Sequence, residues 1–71
     1  MALQIANYYQ IGTRISVVTT GGYLFTGAIE VAGSETLVLA DTVVRGPEGG
    51  EVTRGASVRI LRDHITAAWG S

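Results

Sequence analysis

The chain has 71 residues, no cysteine, one histidine, and five basic residues, all arginine, against six carboxylates, for a formal net charge of -1. Disulfides and thiolate metal sites are excluded, no zinc site, other metal site or cofactor is expected, and clustered positive charge of the kind that grips nucleic acid along a whole surface is absent. Charged residues make up only 15% of the chain and apolar residues 46%, so part of the surface of so small a single domain, residues 1–71, is expected to be an interface between copies.

In chain order, residues 2 to 11 carry apolar side chains at Leu3, Ile5, Ala6, Tyr8, Tyr9 and Ile11, with Gly12 placed to end a helix. The spacing predicts a short N-terminal helix packed on the sheet that follows. From Ile15 the period changes to two. Ile15, Val17 and Thr19 alternate with Ser16, Val18 and Thr20, which predicts a first strand, and Gly21-Gly22 supplies the positive φ angles of a hairpin turn. The return strand spans Tyr23 to Ala32, with Gly27 marking a bend or a close backbone approach.

Gly33, Ser34 and Glu35 form the next corner. Thr36 to Val44 alternates again, with Leu37, Leu39 and Val43 opposed to Val38 and Val44, and Asp41 predicts that this strand leaves the core near its end. Arg45 to Gly50 holds the one proline and three glycines and reads as an exposed loop. A fourth strand runs from Glu51 or Val52 to Leu61, with a candidate bulge at Arg54 and Gly55. Arg62, Asp63 and His64 turn the chain into a last strand, Ile65 to Trp69. The pattern predicts a mainly β fold: a short helix followed by a strongly bent five-stranded antiparallel SH3-like barrel, with strands four and five as its open edges.

Gly12, Ile15, Val17, Gly22, Phe25, Gly27, Ile29 and Leu39 stand in the order and nearly the spacing of the first Sm motif, and Ile60 to Ile65 resembles the second. The chain therefore resembles the Sm-like family, most closely its bacterial Hfq branch, with a longer loop after Val44. The resemblance implies a homo-oligomeric ring in which strand four of one copy pairs with strand five of the next, and single-stranded RNA held at two corners near the pore. Carried over, those corners are Ser34, Glu35 and Thr36, and Arg62, Asp63 and His64. A second RNA surface on the opposite face would use Gly22 and Tyr23.

The pattern also departs from the family. Gly33 stands where a carboxylate is expected, Glu35 replaces a stacking aromatic, and Asp63 and Leu61 replace a His or Gly and an aromatic. Glu35 offers no π-face to a base, and two acids beside one arginine repel phosphate unless Arg62 alone faces the pore. The expectation is thus RNA binding with an altered pocket, and the competing one a structural or protein-interaction ring without RNA. Catalysis is not expected: there is no cysteine or lysine, and Gly46 to Gly50 lacks the Lys-Ser/Thr ending of a phosphate loop. No membrane-spanning run and no leader pattern are seen, so a cytoplasmic protein is expected.

Overall fold

The computed structural model describes residues 10–70. They form a mainly β fold: β1 (Arg14–Thr19), β2 (Leu24–Ala32), β3 (Thr36–Arg45), β4 (Glu51–Leu61), a 3-10 turn (Arg62–His64) and β5 (Ile65–Gly70). The strands make one five-stranded antiparallel sheet in the order β4-β3-β2-β1-β5, which puts β4 and β5 at its two edges as expected. The helix expected over residues 2 to 11 falls outside the described residues except for Gln10 and Ile11. These two are not helical: Thr13 N donates to Gln10 O at 3.0 Å, closing a turn, and Gly12 turns there with φ 92°. Among the described residues no helix is long and apolar enough to cross a membrane.

β-Branched side chains fill β1, and Ile15, Val17 and Thr19 are all buried as expected, but on the opposite face Ser16 is buried too and Val18 half-buried, so both faces of this strand are covered. Ile15 and Val17 meet Ile29, Leu37, Leu39, Ile60 and Ile65 in one core, with Phe25, Ala32, Val58 and Ala68 packed at its margin. The hairpin after β1 is longer than a two-residue turn. Gly22 N donates to Thr19 O and Thr19 N to Tyr23 O, both at 3.0 Å, so Tyr23 belongs to the turn and β2 begins at Leu24. Gly21 and Gly22 both have the positive φ that the turn requires.

The middle of β2 is where the sheet is tightest. A Cβ on Gly27 would stand 2.8 Å from Ala40 O, 2.8 Å from Thr42 Oγ1 and 3.2 Å from Leu39 Cβ. Thr26 pairs with Val43 and Ala28 with Ala40, so Gly27 alone opposes both Asp41 and Thr42, a β-bulge on β3. Asp41 takes up the extra residue with φ 51°, the one positive φ among the described non-glycine residues.

This bulge corrects the expectation that β3 leaves the core at Asp41. Asp41 faces solvent, and the strand resumes with its faces exchanged. Thr42 is fully buried, its hydroxyl donating to Leu39 O at 3.0 Å, and Val44 is buried while Val43 is only half-buried. Period-two counting across Asp41 assigned Val43 and Val44 to opposite faces from those they take, because one added residue inverts the alternation. The glycine expected as a bulge in β4 behaves as read: Thr42 pairs with Ala56 and Val43 with Arg54, leaving Gly55 unpaired with φ 83°.

Two stability measurements check this account. Gly27→Ala destabilises by about 3 kcal/mol, the cost of forcing a methyl into a filled site, and lowers Tm by about 10 to 20 °C for a domain of this size; a melting curve equal to the parent's refutes the close approach. Asp41→Val, although at an exposed position, costs about 1 to 2 kcal/mol because a β-branched residue resists positive φ, whereas Asp41→Gly does not destabilise. Paired denaturant titrations of the two variants read the difference.

Candidate nucleic-acid interface

The β2-β3 corner and the β4-β5 turn are brought together by main-chain bonds. In the corner, Gly33 N donates to Thr36 O at 2.9 Å, leaving Ser34 and Glu35 at an exposed tip with Thr36 half-buried. Thr36 pairs with Leu61, the last residue of β4, and Arg62 N then donates to Glu35 O at 2.9 Å. At the other end of the same 3-10 turn, His64 O accepts from Thr20 N at 2.8 Å. One three-residue turn is therefore fastened to the corner at the end of β2 and to the hairpin that precedes it.

That fastening constrains the sheet. Nine extended residues of β2 would span about 30 Å, while a three-residue 3-10 segment advances only about 6 Å. The strands must curl until both ends of β2 reach one short turn. Gly27 sits near the middle of this curl, where its missing side chain lets β3 approach.

Of the residues expected at the two corners, Ser34, Glu35, Thr36, Arg62, Asp63 and His64 do form one neighbourhood, a ridge made by the corner and the turn. Their exposure differs from one to the next. Ser34, Glu35, Asp63 and His64 face solvent, but Arg62 keeps only 7% of its surface exposed and lies buried in the turn. The ridge of a single chain thus presents two carboxylates and one imidazole, with its arginine turned inward. Gly22 and Tyr23 are elsewhere, in the hairpin. A Cβ on Gly22 would stand 3.4 Å from Pro47 Cβ, so this turn packs beside the β3-β4 loop, and Tyr23 is 41% exposed with its ring against Gly21.

The loop and the start of β4 hold a bidentate ion pair. Arg54 Nη2 and Nε donate to the two carboxylate oxygens of Glu51 at 2.7 and 3.2 Å. The hydrogen-bonded Arg54 guanidinium holds the Glu51 carboxyl below its ordinary range, and Glu51 in turn raises Arg54. Both groups lie in solvent, so the pair shapes the strand end and adds little to stability.

Reading the sequence missed a groove between the β4 edge and the hairpin. It is lined by Thr19, Thr20, Phe25, Arg59, Leu61 and His64 over a floor that includes Ile60, with a volume of about 270 Å³. No protein-family model and no curated protein sequence matches the chain.

Hydrogen exchange tests the fastening directly. The Thr20 and Arg62 amides exchange slowly, near the rate of core strand amides, while the amide of Glu48 on the exposed loop exchanges quickly; equal rates at all three positions contradict the two bonds.

Proposed function

We propose that the chain is a subunit of an Sm-like ring. The curled sheet closes as an SH3-like barrel, β4 of one copy pairs with β5 of the next, and the ridge of Ser34, Glu35, Thr36, Arg62, Asp63 and His64 from each copy rims the pore and contacts single-stranded RNA weakly. The observation that carries this reading is the 3-10 turn fastened at both ends, to Glu35 O and Thr20 N, in a sheet whose two unpaired edges are β4 and β5. A head-to-tail contact between two different edges of one chain generates a ring when the rotation closes. It also covers the strand edges that a small core leaves exposed, where Val52, Leu61 and Trp69 are 62%, 49% and 45% exposed.

A second reading has one specific observation in its favour. With Arg62 buried and Glu35 and Asp63 exposed, the rim of such a ring is acidic, which repels phosphate and suits a basic protein segment. In that case the assembly is a protein-interaction ring without RNA.

Light scattering at micromolar concentration gives a mass of several subunits if the ring forms, and a single-chain mass sinks both readings. Fluorescence titration of labelled uridine-rich and adenine-rich oligonucleotides at low salt then separates them. Saturable binding that weakens when the strongly screened phosphate contacts are challenged with salt supports the RNA reading. Absence of saturation with both oligonucleotides, in a preparation that is oligomeric, leaves the protein-interaction ring. Replacing both acids, Glu35→Gln with Asp63→Asn, strengthens RNA binding about tenfold at low salt if their charge is what limits it.

A further inference from the structure

Each of the two edge strands carries an apolar feature that its own chain leaves open. On β5, Ser16 pairs with Trp69 and Val17 with Ala68. Val17 is a core residue, so the indole of Trp69 stands on the opposite face, away from the core. Its paired neighbour there is a serine, and Trp69 keeps 45% of its surface exposed. On β4, the groove of about 270 Å³ beside the hairpin has the half-buried Phe25, Ile60 and Leu61 as apolar surface, with Arg59, Thr20 and His64 supplying polar groups. None of the described residues lining it is a carboxylate. A cavity of about 150 Å³ suffices for benzene, so this groove has room for a bicyclic ring.

We propose that the groove is filled by the Trp69 side chain of the neighbouring copy, so that β5 of one chain anchors in the β4 edge of another. The proposal rests on the ring reading above and names the contact that holds its copies together. An indole matches this lining in three properties. Its apolar body packs edge-to-face on a ring such as Phe25, its N–H is accepted by a threonine hydroxyl or the His64 imidazole, and its π-face attracts a guanidinium such as that of Arg59. Alternation fixes which registers deliver it. Residues opposite each other in an antiparallel pair share a face. With Trp69 opposite Val58 or Ile60, the indole falls on the side where those two residues meet the core, and a shift by one residue turns it away. One contact then covers two apolar exposures that the single chain leaves open. Because it joins two different edges, it repeats from copy to copy.

Trp69 is the one tryptophan of the chain, so the tryptophan fluorescence of the full chain reports on this contact alone. In the assembly its emission is blue-shifted and poorly quenched by acrylamide. On dilution both change to those of an exposed indole, at the concentration where light scattering shows the assembly dissociating. Trp69→Ala and, from the groove side, Leu61→Glu each raise that concentration about thirtyfold or more, as loss of a central anchor does. Both positions are exposed, and the far-UV circular dichroism of each variant stays that of the parent. Each variant lacks one side of the contact and keeps the other, so a mixture of the two forms a two-chain species that neither forms alone. The contact is overturned if Trp69 is freely quenched in an assembled parent, if Trp69→Ala assembles at the parent's concentration, or if the mixture stays monomeric. A parent that remains a single chain at every concentration overturns the ring reading as well, so the parent's mass tells the two failures apart.

Discussion

The architecture depends on one contact, the approach of β3 to the backbone of Gly27. Two carbonyl and hydroxyl oxygens, from Ala40 and Thr42, occupy the space that any other residue's Cβ would need. The Thr42 hydroxyl can be fully buried there because Leu39 O accepts its hydrogen, which removes the penalty of an unpaired buried donor. Asp41 supplies the extra residue that brings Thr42 inward. Bulge, buried threonine and glycine therefore form one joint between β2 and β3, and the curl that carries the corner and the hairpin to the ends of a single short turn passes through it.

From the joint outward, each step positions the next. The curl sets Glu35 O against Arg62 N and Thr20 N against His64 O. Those bonds fix the 3-10 turn, which reverses direction between the two edge strands without either strand pairing with the other. The ridge and the groove meet at that turn: Glu35 stands on the β2-β3 corner, Asp63 in the turn itself, and His64 belongs to both the ridge and the groove lining.

Much of this was legible in the residues. A lone glycine within a run of β-branched and aliphatic side chains signalled the close approach, the consecutive glycines at 21 and 22 signalled the hairpin, and Gly55 signalled the bulge in β4. The change of face at Asp41 was not legible, because a bulge built on aspartate has no glycine to announce it and a buried threonine looks like any other polar strand residue. Tyr23 was placed one residue into the strand for a related reason: hairpin length follows from backbone bonds that composition does not encode. Corner and turn were separately readable as short polar breaks between alternating runs, Gly33 to Glu35 and Arg62 to His64, but the burial of Arg62 was not, since an arginine beside an aspartate in a turn ordinarily points to solvent.

The two edge strands are unequal, β4 with 11 residues and β5 with six. Any strand that pairs with β4 as β5 would covers only about half of it. The beginning of β4 holds the Glu51-Arg54 pair and the unpaired Gly55, where the ladder is broken and charge is held along the edge. Such features hinder a further strand from adding indefinitely. The beginning of β4 thus protects its own edge: a broken ladder and a held charge pair discourage open-ended sheet growth there.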